Sequence, residues 1–280
     1  METQRTTLEG FSAIKVLAAL SLLALLWLGS SRAYQAIVKK STVSAQNSGG
    51  AGSLATQAST PFKSVDWQAP VPGGERGPSS IAFAGEDKDG ISNIAGNVVR
   101  TVLGSYEALV ESGDYSPEKA ESIAQEIGEN LRANVSFTTY KAADLKIESD
   151  TSYTRMLTYR NDLRIALEPL LKNSAYELSM FANYVESKDE KYLEELKRTV
   201  ENYREAIAKT AQVVVPNDAL EYHLSILNAL SQFSETIDRM AKHADDPFAS
   251  AALLGTYSGS ETNLLSSFNS LALYYKSKLP

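Results

Sequence analysis

The run FSAIKVLAALSLLALLWL, residues 11–28, constrains this chain more than any other stretch. It is apolar except for Lys15. A helix rises about 1.5 Å per residue, so a run of this length reaches roughly 27 Å against a hydrocarbon core about 30 Å thick. Lys15 lies one turn inside the N-terminal edge, where its stem can carry the ammonium to the headgroups. Trp27 closes the run and Tyr34 follows it, the places where interfacial aromatic rings sit. Arg32, Lys39 and Lys40 come next. We read residues 11–29 as a retained transmembrane anchor behind a short tail, residues 1–10.

Two other readings stay open. One is a cleaved signal peptide. Residues 16–28 have the length of its apolar core, Ser31-Arg32-Ala33 places small residues at −3 and −1 of a cleavage site, and Arg5 and Lys15 supply positive charge against Glu2 and Glu9. The other is a leader resembling that of type IV prepilins, carried by Gly10-Phe11-Ser12-Ala13-Ile14. Lys15 stands where that family has a glutamate, and Glu9 where a basic residue is usual. For orientation, Arg5 and Lys15 before the apolar core face Arg32, Lys39 and Lys40 after it, a slight bias toward the bulk of the chain inside. The short tail and the linker that follows favour the opposite, an extracytoplasmic bulk, and that is the expectation we adopt.

Composition removes several function classes. There are 280 residues and no cysteine, which excludes disulfides, thiolate nucleophiles and cysteine-ligated zinc. Five of the 27 basic residues and two of the 34 acidic ones lie in the first forty, so the remainder carries 22 against 32. Such a remainder repels phosphate backbones, and we expect no nucleic-acid partner. The expected partners are membrane lipid, through the N-terminal helix, and a protein.

Residues 41–80 are rich in Gly, Ser, Ala, Thr, Gln and Pro, and their apolar residues have no period. A stretch like this buries too little to offset its ordering entropy. We assign residues 30–90 to a juxtamembrane segment and flexible, disordered linker. Near its end, Glu86-Asp87-Lys88-Asp89-Gly90 resembles part of a calcium loop, but aligning Gly90 to the glycine of an EF-hand puts Gly85 and Gly96 at the first and last ligand positions. We expect no metal there, only an acidic turn with Ser92 as a helix N-cap.

From Ile91 onward the apolar period is helical. Six helices are expected. The first covers about residues 93–111. The second starts with Ser116 as N-cap and Pro117 at the first helical position, and runs to about Ala133. Residues 134–150 read as an irregular or partly extended connection, with no convincing strand. A long helix over residues 151–187 is bent by Pro169. The fourth, over residues 190–214, has the cleanest stripe of the chain: Leu193, Leu196, Val200, Tyr203, Ile207, Thr210 and Val214. The fifth starts at Asn217-Asp218 and presents Leu220, Leu224, Leu227, Leu230, Ile237 and Met240. The last begins at Pro247 under an Asp246 N-cap and presents Phe248, Leu253, Tyr257, Leu264, Phe268, Leu271 and Tyr275. Long helices joined by short breaks fold back on one another, so residues 91–280 are expected to form an antiparallel helical bundle. The fold class is all-α: an N-terminal transmembrane helix, a disordered linker and a bundle of about six helices.

No catalytic, cofactor-binding or metal-binding residue is assigned. The two histidines, His223 and His243, lie about 30 Å apart if one helix carries both, too far to share a metal. His223 is expected to border the core and His243 to compensate the dipole at a helix C-terminus. Of the fourteen tyrosines, Tyr153, Tyr159, Tyr176, Tyr184, Tyr192 and Tyr203 could form an adhesive face, but rings half in the core with hydroxyls in water are the simpler expectation. There is no Gly-x-Ser-x-Gly elbow and no phosphate-cradling glycine loop. Asn134-Val135-Ser136 matches a glycosylation triplet of the kind that arises often by chance.

The Val215-Pro216-Asn217 helix start, the Leu224-to-Leu230 run, Asp245-Asp246-Pro247-Phe248, the Ser116-Pro117-Glu118 start and the apolar anchor together resemble single-span envelope proteins of small-genome, candidate-phylum bacteria. The resemblance implies an anchored, outward-facing helical domain and supplies no activity. The expectation is a structural or protein-interaction role in the cell envelope, such as an accessory of a surface or secretion assembly, and not an enzyme. The first alternative is a sensor-type module that binds a small ligand extracytoplasmically. The second is a secreted or pilin-like protein.

Overall fold

Helix stops, more than helix propensity, set the layout. The computed structural model describes residues 62–63, 65–70, 89–173 and 175–279. The expected anchor at residues 11–29 and most of the linker lie outside these residues. Among the described residues no helix is long and apolar enough to cross a membrane. The α-helices are α1 (Ile94–Glu111), α2 (Pro117–Asn130), α3 (Tyr153–Ala166), α4 (Glu177–Ser187), α5 (Lys191–Thr210), α6 (Leu220–Lys242) and α7 (Pro247–Ser277). The described residues are mostly helical, as expected for an all-α fold. Where the sequence suggests one domain over residues 91–280, packing divides the described residues into two units.

The smaller unit holds residues 62–70 and Gly96–Leu131. Helix α1 ends because Gly113 adopts φ 71°, a left-handed conformation that costs glycine little. Its amide and that of Asp114 then return to the carbonyls of Val110 and Leu109 at 3.1 and 3.0 Å. Helix α2 starts as expected, with the Ser116 hydroxyl accepting from the Lys119 amide at 3.2 Å and Pro117 leading the helix. It stops at Asn130, before the expected Ala133. Within the stretch assigned to the linker, Trp67 is buried and its turn is held on α1. The Asn97 amide group donates to the Trp67 carbonyl at 2.9 Å and to the Ala69 carbonyl at 2.8 Å.

The larger unit holds residues 89–95 and 132–279. Ser92 is not an N-cap: it lies inside a 3-10 turn, Ile91–Asn93, preceded by Gly90 at φ 67°. Asp89 pairs with Arg239 at 2.9 Å. Residues 133–136 are in neither helix nor strand, with Ala133 and Val135 buried and Asn134 and Ser136 exposed. Farther along, Asn228 of α6 satisfies both backbone groups of Tyr140: it accepts from the Tyr140 amide at 2.7 Å and donates to the Tyr140 carbonyl at 3.1 Å.

Three corrections follow. First, residues 151–187 are not one bent helix. Helix α3 ends at Ala166, a 3-10 turn spans Glu168–Lys172, and α4 begins only at Glu177. Pro169 lacks an amide and crowds the carbonyl of the turn before it, so the α ladder stops instead of bending. Second, a strand pair exists: β1 (Lys146–Glu148) runs parallel to β2 (Val214–Pro216), with Ile147 opposite Val215. Third, Val214 therefore belongs to β2 and not to the preceding helix. The β-branched run Val213-Val214-Val215, followed by Pro216, favours extended backbone. Arg155 ties the pair down, its guanidinium donating to the Val214 carbonyl at 2.7 Å and pairing with Glu148.

Helices α4 to α7 pack as consecutive neighbours. The connections at residues 188–190 and 243–246 are too short for anything but antiparallel reversal. On α5, Leu193, Leu196, Val200, Tyr203, Ile207 and Thr210 are all buried, as their spacing predicts. Helix α6 sits between neighbours and is buried on several sides, including Ile226, Leu227, Leu230, Phe233, Ile237 and Met240. Leu220 and Leu224 are only half-buried. Helix α7 carries the expected Asp246 cap, whose carboxylate accepts from Phe248 and Ala249 at 2.9 and 3.0 Å. Its buried stripe is Leu253, Tyr257, Ser260, Leu264, Ser267, Leu271 and Tyr274. The serines admit close approach, and the Ser267 and Ser225 hydroxyls meet at 2.8 Å across α6 and α7. Gly255 has a local reason too: a Cβ there would meet the Arg132 guanidinium at 2.5 Å.

Candidate functional site

Helix α1 has two apolar faces, and one of them is unused. The face carrying Asn97 and Val98 is buried. The other presents Val99, Val102, Leu103, Tyr106 and Val110 at 43–56% exposure. Residues 99, 103, 106 and 110 repeat by fours and threes, so they form one stripe on a helix of 3.6 residues per turn. Tyr115, itself 49% exposed, extends the stripe by packing edge-on against Tyr106 at 5.4 Å between ring centres. Isolated exposed apolar residues are ordinary on a protein surface, but a continuous stripe five or six residues long is not. On the opposite side of α1, an open groove of about 580 Å³ runs between α1 and α2, lined by Phe62, Gly104, Ala108, Leu109 and Ile123 among others. The spacing of this second face is visible in the sequence, but which face lacks a neighbour is not.

The histidines are placed at opposite ends of α6. His223 is fully buried, and its Nδ1 lies 3.1 Å from the Tyr159 hydroxyl. Its partner is thus a phenol and not a carboxylate. Burial pulls the imidazole down to about 4, with the Thr210 backbone acting weakly in the opposite direction. The ring is neutral at physiological pH. The Thr210 hydroxyl and the Tyr275 hydroxyl are buried without hydrogen-bond partners among the described residues. His243 forms the C-cap of α6, its amide returning to the Arg239 carbonyl at 3.0 Å, which is where a dipole-compensating residue is expected.

The tyrosines do not form one adhesive face. Tyr159, Tyr184 and Tyr203 are buried, while Tyr153 and Tyr176 are exposed. Apart from Tyr159, whose hydroxyl meets His223, several tyrosine hydroxyls donate to acids. Tyr184 donates to Asp245 at 3.0 Å, and burial with that carboxylate pushes the phenol up to about 12. Tyr203 donates to Glu177 at 2.9 Å, and Tyr176 and Tyr257 donate to Glu261 at 2.9 and 3.3 Å. Burial, reinforced by Glu177 and Glu261, pushes the Tyr203 phenol far above its ordinary value. The bonds from Tyr184, Tyr203 and Tyr176 each join separate elements, and Asp245 also accepts from Lys188 at 2.9 Å.

A second, smaller cavity of about 240 Å³ is lined by Tyr140, Arg204, Ser231, Ser234 and Glu235 among others. Its guanidinium is already engaged, since Arg204 lies 3.1 Å from Glu235 and 3.5 Å from Asp238. Among the described residues no group of three or more His, Asp or Glu is placed to hold a metal ion. The acidic turn examined as a calcium loop is described only at Asp89 and Gly90. No family model, curated protein or solved structure matches the chain.

Proposed function

We propose that this protein is a membrane-anchored helical domain of the cell envelope whose role is to dock another protein through α1. The single observation that carries this is the exposed stripe of Val99, Val102, Leu103, Tyr106 and Val110. Exposing such a face costs solubility and gains nothing for the fold, which makes partner burial the economical explanation. The apolar run at residues 11–28 supports an anchor, and the linker supports presentation of the domain away from the bilayer. The domain's acidic excess keeps it off anionic surfaces and leaves the α1 stripe to select its partner by shape and apolar contact.

A photo-crosslinking residue placed at Leu103 of the full chain in cells tests the reading, with Arg198 on the polar face of α5 as the control position. Discrete adducts at position 103 and none at 198 are expected. Equal labelling at both positions would remove the basis for a docking surface.

A further inference from the structure

We propose that the occupant of the α1 stripe is α1 of a second copy of this chain, packed antiparallel. The inference rests on the docking role proposed for the same stripe and names its partner. The 4-3-4 spacing of Val99, Leu103, Tyr106 and Val110 is the seam of a two-helix packing. Antiparallel pairing about a two-fold axis between residues 104 and 105 places Leu103 opposite Tyr106 and Val99 opposite Val110. Every seam contact is then apolar and occurs twice, as a two-fold interface requires.

Charge selects the direction. Arg100 and Glu107 are both exposed and both follow a seam residue, so they lie on one edge of the stripe, roughly 80–100° from Val99 at 100° per residue. In an antiparallel pair that edge faces the same edge of the other copy, reversed. Arg100 of each copy then comes within about two residues of the level of Glu107 of the other, roughly 3 Å along the axis. In a parallel pair that edge would instead face the opposite, uncharged edge of the other copy, and Arg100 and Glu107 would find no partner there. On the opposite edge lie Val102 and Leu109, which carry no charge and favour neither direction electrostatically. Arg100 and Glu107 have no ion-pair partner among the described residues, so intermolecular pairing breaks nothing. Tyr106 adds aromatic area beside the two-fold axis, and Tyr115 packs edge-on against it.

Size fixes the strength. Six side chains at about half exposure leave on the order of 400–500 Å² per copy, so a pair buries roughly 800–1,000 Å², below the about 1,200 Å² of stable interfaces and within the range of weak, transient ones. The pairing is therefore reversible, and anchoring at residues 11–28 would promote it by confining copies to one surface.

The chain has no cysteine, so an introduced thiol can crosslink only to another introduced thiol. Full chains carrying Val99→Cys and Val110→Cys, both near-isosteric and exposed, are purified in non-ionic detergent, mixed and oxidised. The mixed 99–110 disulfide should exceed either like-with-like disulfide by at least tenfold, because like positions lie roughly 16 Å apart in the antiparallel pair. Arg100→Glu alone and Glu107→Arg alone should each lower the yield, roughly threefold to tenfold, and the double reversal should restore it. Unchanged helix content by circular dichroism guards against misfolding. Like-with-like disulfides as abundant as mixed ones, or charge reversals without effect, would overturn the proposal. If disulfides fail while Leu103 still forms discrete adducts of another mass in cells, the docking role stands and the second copy does not; if both fail, the docking role falls as well.

Discussion

Acid should destabilise the larger unit through one histidine. His223 titrates near 4 in the folded protein against an ordinary 6.5, because burial penalises its charged form. The sign follows from proton counting. Between those values the unfolded chain binds a proton that the folded chain does not, so stability is fully present above about 6.5 and falls as pH drops toward 4. Full titration of that gap is worth roughly 3 kcal/mol, and the part lost between pH 7.5 and 4.5 about 2.5 kcal/mol. Against a typical stability of 5–15 kcal/mol this is a large fraction, about 5–10 °C in Tm for a unit of this size. The perturbation is His223→Gln, which removes the titrating ring. Urea unfolding followed by far-UV circular dichroism at pH 7.5, 6.5, 5.5 and 4.5 gives the two pH profiles. The native chain should lose about 2.5 kcal/mol more than the variant across that range. Depressed carboxylates such as Asp189, Glu205 and Asp245 also lose stability in acid, but they are common to both chains and cancel in the difference. With only two histidines in the chain, their ring C–H resonances give a second check: His223 should stay neutral down to about pH 5. Parallel stability profiles, or a His223 resonance that titrates near 6.5, would refute the reasoning.

Val200→Asp puts a carboxylate at a position only 2% exposed and should cost roughly 3–5 kcal/mol, enough to unfold much of the unit at 37 °C; thermal melting decides it. Asp246→Ala removes two cap bonds from α7 and should cost about 1 kcal/mol in urea, whereas Asp246→Ser should cost less than half of that. Asn97→Ala leaves the Trp67 and Ala69 carbonyls without their donor and should release the turn, read as a red shift in the Trp67 component of the fluorescence. N-terminal sequencing of the membrane-extracted protein should return the uncleaved terminus; a mature terminus at Tyr34 or Phe11 would point to a signal peptidase or a prepilin peptidase.

What the sequence determined by itself was local. The caps at Ser116 and Asp246 each need only a side-chain oxygen, a following proline and free amides one turn on, all within four residues. The α5 stripe is fixed by period, because one amphipathic helix with a polar back can bury only its apolar side. What the tertiary structure decided was every feature that depends on a distant neighbour. The break around Pro169 became a stop and not a bend, with the chain continuing through a 3-10 turn into a separately started α4. Three-residue strands 68 positions apart, Lys146 against Val214, carry no periodic signal, since each exists only through the other. Ser260 and Ser267 joined the core of α7 because small side chains let α6 approach, a property of the pair and not of either helix. His223 became a buried neutral ring because Tyr159 and its surroundings closed around it. Most tellingly, the two apolar faces of α1 are equally plain in the sequence, and only packing determines that Asn97 and Val98 are covered while Leu103 and Tyr106 are left in water. Periodicity states which residues prefer burial; only the assembled fold states which of them have found it.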